Sequence, residues 1–218
     1  MDNLKSNNNC RLENFIDLND HKTRVQYLKG ENIFKQGAFA PYVIYVVEGL
    51  VKVYLQTGLD KQINILIAKP GDFLAFSSIF GETVHTYSTQ ALTNAEICMI
   101  EKERLKQILI EHPEFAMEIT SKNYRKEKHL LEIIKNLSYK QMRGKLASAL
   151  IYLSADDFLK EDIFSYLCRQ DLADFASISA ESAIKFLKEF EKEGMVSLDG
   201  KDIAITDQVK LLNISKNG

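Results

Sequence analysis

Short runs of alternating apolar and polar residues dominate the first half of the chain. Eight such runs are rich in β-branched and aromatic residues, and most are bounded by Gly, Pro, Asn or Asp. They are Val25–Leu28, Ile33–Lys35, Val43–Val47, Leu50–Leu55, Gln62–Ile67, Phe73–Phe76, Thr86–Leu92 and Glu96–Ile100. Short strands at these intervals predict an antiparallel β sandwich or jelly roll.

The period of the pattern changes to three or four after Glu101, which predicts helices. These cover Lys102–Ile110, Glu114–Leu137 and residues 144–153, and a short amphipathic helix is expected over residues 12–18. Asp162–Leu167 is interpreted as a short strand. The helix over Glu114–Leu137 would span about 36 Å at 1.5 Å per residue, which is longer than a small domain requires.

That long helix has two interpretations. It either connects two domains and packs against the jelly roll, or it forms a coiled-coil-like contact with a second copy of the chain. We favour the second, because a chain that contacts one half of a symmetric binding site gains affinity and symmetry by dimerising. The candidate dimer residues are Ile119, Leu130, Ile133, Ile134 and Leu137.

Two short amphipathic helices are predicted within Cys168–Glu191. Leu172, Phe175 and Ala176 form the apolar stripe of the first, and Ser179 is placed to cap the second. The second stripe comprises Ala183, Phe186, Leu187 and Phe190. The remaining residues near the N-terminus of the second helix point away from this stripe. A recognition helix presents such residues to a major groove, and here they are Ala180, Glu181, Ser182, Ile184 and Lys185.

A β hairpin is predicted directly after these helices. Strand-like residues flank Asp199-Gly200-Lys201-Asp202, and Asp-Gly is a strong hairpin signal. Two amphipathic helices alone are a common pattern, but two helices followed by a hairpin favour a winged helix-turn-helix that binds DNA.

Composition adds little evidence for a nucleic-acid binder. The chain has 218 residues, 45% apolar and 27% charged, with a formal net charge of -2. Between Lys122 and Lys145, however, 8 basic residues stand against 2 acidic ones, which is a candidate phosphate-attracting flank. Three widely spaced cysteines, no apolar run near 18 residues and a polar N-terminus predict a cytoplasmic protein without a membrane span.

Enzymatic and metal sites are not expected. A jelly-roll metalloenzyme needs several His and Glu side chains that converge on one point, and the predicted strands hold one interior histidine, His85. The sequence also has no P-loop, nucleophile elbow or dinucleotide-binding fingerprint.

In combination and order, three motifs resemble the Crp/Fnr superfamily of bacterial transcription factors. They are Tyr45-Val46-Val47-Glu48-Gly49, Pro70-Gly71-Asp72-Phe73, and Arg169-Gln170-Asp171-Leu172-Ala173 leading into Ser179-Ala180-Glu181-Ser182. The resemblance implies an α+β protein with a cyclic-nucleotide-binding-like jelly roll, a long dimerisation helix and a winged helix-turn-helix. The expected domains are 1–112, 113–137 and 138–218.

The resemblance also implies roles for individual residues. Glu181 and Lys185 would face base edges beside Ser182 and Ala180, since Glu accepts from cytosine N4 and Lys donates to guanine O6 or N7. Contacts to the DNA backbone would come from Arg169, Gln170, Ser179, Lys188 and Lys201. The chain departs from relatives at Ala180, where the cyclic-AMP-responsive branch has arginine, and at Ile184, where relatives often carry a small residue. We therefore expect a different operator.

The sensory half departs further from the cyclic-nucleotide binders of the superfamily. Those proteins use a glutamate for the ribose and an arginine-serine pair for the cyclic phosphate, positions that correspond here to Phe76 and roughly to His85-Thr86. An apolar ring cannot accept the ribose hydroxyls, and a mostly neutral imidazole is a poor substitute for the guanidinium that binds the phosphate. Cyclic AMP is therefore not the expected effector. The candidate pocket for an unidentified effector comprises Gly71, Phe73, Phe76, His85 and Thr86. Cys10 alone cannot hold an iron–sulfur centre, and no cofactor is expected.

These features predict a homodimeric, sequence-specific transcription regulator. Two recognition helices would enter successive major grooves about 34 Å apart on an inverted-repeat operator. The expected partners are double-stranded DNA, a second copy of the chain and RNA polymerase. The alternative is a ligand-binding jelly-roll module whose winged helix contacts protein, because residues 138–218 hold 11 basic and 13 acidic side chains.

Overall fold

The computed structural model describes residues 22–59, 61–155, 158 and 162–217. The chain divides into two compact units: Met1–Val53 with Leu66–Lys128, and Tyr54–Ile65 with His129–Gly218. The predicted helix over residues 12–18 and Cys10 lie outside the described residues. The domain limits 1–112, 113–137 and 138–218 remain predictions.

Within the described residues, eight strands form the β domain. They are β1 Lys22–Tyr27, β2 Asn32–Phe34, β3 Tyr42–Glu48, β4 Val51–Gly58, β5 Lys61–Ala68, β6 Phe73–Leu74, β7 Ser88–Ala91 and β8 Ala95–Glu101. They form two four-stranded sheets, in the orders β1-β8-β3-β6 and β2-β7-β4-β5. In the first sheet β3 pairs antiparallel with both β8 and β6. The predicted antiparallel β domain is confirmed.

The core of the first unit joins this sheet to two helices, α1 Lys102–Glu111 and the first half of α2 Pro113–Tyr139. Alternate residues of paired strands point inward, so Val43 and Tyr45 meet Cys98 and Ile100. Helical residues complete the cluster, namely Leu105, Ile108, Phe115 and Ile119.

One predicted dimer residue belongs to this core. Ile119 is only 3% exposed, and it packs in the same cluster as Phe115 and Leu105. A side chain buried in its own chain cannot contact a partner, so the assignment of Ile119 to the dimer contact is wrong. Ile119 stabilises the first unit instead.

Five helices and a hairpin form most of the second unit. They are α3 Met142–Leu153, α4 Ile163–Tyr166, α5 Arg169–Ala176, α6 Ala180–Lys192, β9 Val196–Asp199, β10 Asp202–Ile205 and α7 Gln208–Asn217. Leu146 and Leu150 of α3, Leu172 of α5 and Leu187 of α6 are each at most 1% exposed and form the centre of its core.

The strand predicted over Asp162–Leu167 is wrong, because the chain forms the single helical turn α4 there. Ile163, Phe164 and Leu167 are all buried. That spacing matches one face of a helix rather than the alternation of a strand. Local strand propensity is outweighed by burial on one side.

The predicted hairpin is confirmed. β9 and β10 pair antiparallel with Asp199 opposite Asp202, so Gly200 and Lys201 form a two-residue loop. Gly200 has φ 58, a left-handed conformation that glycine adopts without steric cost. We call this hairpin the wing. Across the part of the chain that the structure describes, no helix is long and apolar enough to cross a membrane.

Candidate nucleic-acid interface

Helices α5 and α6 are joined by a sharp turn whose backbone groups are hydrogen-bonded. At the start of α5, the Cys168 N–H donates to Asp171 Oδ2 at 2.9 Å. At its end, Ser177 adopts the left-handed conformation with φ 50 and ψ 50. The N–H of Ile178 then donates to the Ala173 carbonyl at 3.0 Å, which reverses the chain and directs it into α6.

Ser179 caps α6, as the sequence predicts. Its hydroxyl oxygen accepts a hydrogen bond from the Ser182 N–H at 3.2 Å. The pKa of Glu181 is lowered, first by a hydrogen bond from its own backbone N–H and then by one from the Ser179 hydroxyl. The Glu181 carboxylate therefore stays ionised near the positive end of the helix and can only accept hydrogen bonds.

The two faces of α6 differ sharply in composition. Ala183, Leu187 and Phe190 are at most 1% exposed and attach the helix to the core. The opposite side, which we call the outward face, lines an open groove with Glu181, Ile184, Lys185, Lys188, Glu189 and Lys192. Two of the four predicted base-reading residues, Glu181 and Lys185, are exposed on this face, whereas Ala180 and Ser182 are half-buried.

Three of the predicted phosphate contacts already have partners within the chain. The Arg169 guanidinium donates to the wing carbonyls of Gly200 and Lys201, at 2.9 and 2.8 Å. Gln170 Nε2 donates to Asp174 Oδ1 at 2.7 Å, and Ser179 is the helix cap. Lys188 and Lys201 remain exposed, so the structure leaves these two ammonium groups accessible to a phosphate.

The β4–β5 hairpin also contacts α5 inside the second unit. Gln62 Nε2 donates to Asp174 Oδ2 at 2.7 Å, and Asn64 Nδ2 donates to the Asp171 carbonyl at 3.1 Å. The buried Asp174 carboxylate thus accepts from two glutamines, Gln62 and Gln170. The sequence does not predict these contacts of Gln62 and Asn64, because no local pattern links residues more than 100 positions apart.

The basic run from Lys122 to Lys145 is partly neutralised by carboxylates outside it. Lys122 pairs with Glu118 and Lys126 with Asp72, both at 2.9 Å. Arg143 pairs with Glu193 at 2.6 Å. The run therefore presents less positive charge than the count along the sequence indicates.

The long helix α2 carries large apolar side chains on its surface. Met117 and Tyr124 are each 68% exposed, and Leu131 and Ile134 are each 60% exposed. Met117, Tyr124 and Leu131 recur every seven residues, the period of a coiled-coil contact. Of the predicted dimer residues, Leu130 and Ile134 are exposed, while Ile133 and Leu137 are half-buried and line a small cavity of the second unit.

The residues of the candidate effector pocket have different environments. Phe73 is buried in the core of the first unit, and the ring of Phe76 packs edge-on against it with centroids 5.9 Å apart. His85 is buried and stacks on Phe34 at 3.8 Å, whereas Thr86 is exposed. Gly71 occupies a turn with φ 91.

Aromatic side chains fill much of this region. Burial, and secondarily Lys102, lower the pKa of His85, so its imidazole is neutral at pH 7. The Tyr87 hydroxyl accepts a hydrogen bond from the Ala75 N–H at 2.8 Å, next to the 3-10 helix Phe76–Phe80. No local sequence pattern indicates this role of Tyr87.

Two family models match the chain. The one described as a cyclic nucleotide-binding domain covers residues 24–112, and the one described as a Crp-like helix-turn-helix domain covers residues 144–214. This chain belongs to the Crp/Fnr superfamily. It is 25% identical over 190 residues to the transcriptional activator protein anr of Pseudomonas aeruginosa, covering 84% of this chain and 76% of that relative.

A second relative and a solved structure are similar to this chain over most of its length. The cAMP-activated global transcriptional regulator CRP of Salmonella typhimurium is 24% identical over 184 residues, covering 83% of this chain and 88% of that one. The structure of FixK2 from Bradyrhizobium japonicum superposes with a TM-score of 0.75 at 18% identity, covering 88% and 96% of the two chains, which shows a shared fold. The superfamily consists of transcription regulators rather than enzymes, as the sequence predicted.

Proposed function

We propose that this chain is a sequence-specific DNA-binding transcription regulator that acts as a homodimer on an inverted-repeat operator. The observation that carries the proposal is the outward face of α6. It exposes Glu181 and Lys185 at the end of a helix whose opposite face is fixed in the core. This is the geometry by which a recognition helix presents its N-terminal residues to base edges.

The chemistry of the outward face suits base recognition. The Glu181 carboxylate is an obligate acceptor and matches the N4 amino group of cytosine. The Lys185 ammonium, which lies 5.7 Å from the Phe186 ring centroid, is a donor for guanine O6 or N7. Lys188 and Lys201 are exposed and accessible to phosphate oxygens.

Dimerisation through α2 supplies the symmetry of the operator. A contact formed by Met117, Tyr124, Leu131 and Ile134 would bury four large side chains per protomer that water otherwise surrounds. The contact would be isologous, because the same helix face is used by both copies. Two α6 helices related by the twofold axis of such a dimer would contact half-sites about 34 Å apart.

The β domain is proposed to sense a signal other than cyclic AMP, or to serve as a scaffold, and no cofactor is proposed. By resemblance, the position of the ribose-binding glutamate corresponds to Phe76, whose ring packs on Phe73. The nearest equivalent of the phosphate-binding arginine is His85, neutral and stacked on Phe34. Isothermal titration with cyclic AMP should give no heat of binding, and micromolar binding would overturn this part.

RNA polymerase is the proposed protein partner, and the cytoplasm the proposed location, because a transcription regulator must meet both DNA and polymerase there. Supercoiled template carrying the selected operator, purified RNA polymerase and the full chain would test the first point. A change in transcript level that Lys185→Ala abolishes supports it.

The decisive test of DNA reading is selection of bound duplexes from a random pool by the full chain. The expected product is an inverted repeat, and Lys185→Ala should weaken binding to it by about 1–3 kcal/mol while relaxing the preferred sequence. Enrichment of no sequence, together with affinity that is independent of salt, would favour a winged helix that contacts protein. The even balance of 11 basic and 13 acidic residues over 138–218 makes that the competing function.

A further inference from the structure

An apolar side chain lies among the charges on the outward face of α6. Ile184 is 40% exposed, and its neighbours on that face include Glu181, Lys185 and Lys188. The core side of the helix is already filled by Ala183 and Leu187, each at most 1% exposed. The exposed part of Ile184 therefore adds little to the packing of α6.

Helix formation does not explain this isoleucine either. β-branched residues form helices less readily than Ala, Lys or Glu, which occupy most of this surface. An exposed apolar residue by itself is common on protein surfaces. The position of Ile184 is what distinguishes it, because it stands between the acceptor and the donor of the candidate base-reading face.

Helical spacing places Ile184 within reach of the same base pairs. It follows Glu181 by three residues and precedes Lys185 by one, which is about 4.5 Å and about 1.5 Å along the helix axis. The first value is comparable to the rise of one base pair, about 3.4 Å. On a helix seated in the major groove, Ile184 would therefore lie beside a base pair close to those that Glu181 and Lys185 contact.

The major groove offers a single apolar group, the C5-methyl of thymine. All other base edges there present donors or acceptors, which an isoleucine would leave without hydrogen bonds in a desolvated interface. We propose that Ile184 is a specificity-determining residue that selects thymine in each half-site by contact with this methyl group. The inference rests on the proposed function of the outward face as a DNA reader.

The test uses the full chain and the selected operator. Each thymine that lies next to the base pairs assigned to Glu181 and Lys185 is replaced in both half-sites, one at a time, by deoxyuridine, which lacks only the methyl group. Wild type should bind the uridine duplex about fourfold more weakly per half-site, the effect of one buried methylene-sized group. Ile184→Ala should bind thymine and uridine duplexes equally, since the side chain that contacts the methyl is gone.

Control variants separate this effect from general loss of affinity. Val209→Ala removes an apolar side chain that is 70% exposed on α7, outside the outward face, and should discriminate thymine from uridine as wild type does. Ile184→Val retains a branched side chain and should keep part of the discrimination. With cytosine in place of thymine at this position, adding the 5-methyl group to the cytosine should strengthen binding by wild type in part. The same methyl group should leave binding by Ile184→Ala unchanged.

The outcomes distinguish the inference from its foundation. If selection yields an operator but wild type binds thymine and uridine equally, or Ile184→Ala discriminates as wild type does, Ile184 does not read a methyl group and DNA reading stands. An operator without thymine at these steps overturns the inference in the same way. If selection yields no operator, the proposed function fails first, and the role of Ile184 fails with it.

Discussion

The guanidinium of Arg169 is bound to the carbonyl oxygen of Lys201, at 2.8 Å, and so connects α5 to the wing. A second hydrogen bond, to the carbonyl of Gly200 at 2.9 Å, involves the other terminal nitrogen. The resemblance to the Crp/Fnr superfamily implies that Arg169 contacts a DNA phosphate. In the structure the Arg169 guanidinium instead donates hydrogen bonds to the two-residue loop of the wing, which contains Lys201.

We therefore expect Arg169→Ala to loosen the wing. Losing its hydrogen bonds should lower the free energy of local opening of the β9–β10 loop by about 1 kcal/mol, measured by amide hydrogen exchange. The salt dependence of duplex binding should change little, whereas Lys201→Ala should reduce its slope by about 1. Unchanged exchange combined with a reduced slope in Arg169→Ala would show that the phosphate assignment was right.

The second prediction concerns the carboxylate of Asp174. It is buried and accepts from Gln62 at 2.7 Å on one oxygen and from Gln170 at 2.7 Å on the other. Because a buried carboxylate depends on its donors, Gln62→Ala should lower the free energy of unfolding by about 1.5 kcal/mol. Urea unfolding of Gln62→Ala, Asp174→Asn and the double variant measures the coupling between the two residues.

Leu59→Ser is the matched control, because Leu59 lies on the same hairpin and is 97% exposed. It should leave the unfolding curve unchanged. Strictly additive effects of the Gln62 and Asp174 substitutions would show that the hydrogen bond between them contributes nothing.

The third prediction addresses the exposed apolar face of α2. Leu131→Lys should dissociate the proposed dimer. Each copy would have to bury an ammonium group in place of an apolar side chain whose burial stabilises the contact by about 1.5–3 kcal/mol. Counted in both copies, the dissociation constant should rise at least about a hundredfold. Sedimentation equilibrium measures it, with Ile110→Lys, at a site 72% exposed on α1, as the control. A dimer equally stable in both variants would place the interface elsewhere.

Local patterns were sufficient to predict most of the fold. The alternation of Val43 and Tyr45 in β3, the Ser179 cap and the Asp-Gly hairpin each depend on residues close together in sequence. The strand prediction over Asp162–Leu167 failed because six residues do not distinguish one helical turn from a strand when Ile163 and Phe164 are both buried.

The candidate site was harder to predict, because it depends on distant pairs. Ile119 fits an apolar helical stripe whether its partner is its own domain or a second chain, and only the structure shows that it packs with Phe115. Likewise an arginine at the start of α5 has the same sequence signature whether it binds a phosphate or the carbonyl of Lys201. Met117 and Tyr124 do not belong to the predicted dimer stripe, because the sequence does not show which side chains of α2 are left exposed by the rest of the chain.

The fourth prediction is a dependence of stability on pH that His129 imposes. Its ring stacks on Tyr152 at 4.2 Å, and its Nε2 lies 3.0 Å from the Ile65 carbonyl. Burial lowers the pKa of His129, although the Ile65 carbonyl and Glu132 act in the opposite direction. The neutral form is thus favoured in the folded chain, while the unfolded chain takes up a proton near pH 6.5.

Because the folded pKa is the lower one, the contribution of His129 to stability is complete above about pH 6.5 and is lost as pH falls below it. Urea midpoints at pH 7.5 and pH 5.5 should therefore differ less in His129→Gln than in wild type. His85, whose pKa is also lowered, contributes in the same direction, so His85→Gln should remove a separate part of the difference. A midpoint difference unaffected by His129→Gln would contradict the prediction.

The last prediction concerns Ser177, the left-handed residue between α5 and α6. Its φ of 50 costs an L-amino acid energy that glycine does not incur, and helices commonly place glycine at such an end. Ser177→Gly should therefore raise the free energy of unfolding by about 0.5–1 kcal/mol, and Ser177→Val should lower it by about 1–2 kcal/mol.

Gly194→Ala provides the reciprocal control. Gly194 has φ 74 with open space where a Cβ would lie, so its substitution should destabilise through backbone strain alone. If Ser177→Gly is destabilising, the serine side chain must contribute more than its strain costs. If Ser177→Gly stabilises the chain without changing duplex affinity, the backbone of the turn sets the direction of α6. In that case the serine side chain contributes nothing to duplex binding, which depends on the outward face of α6.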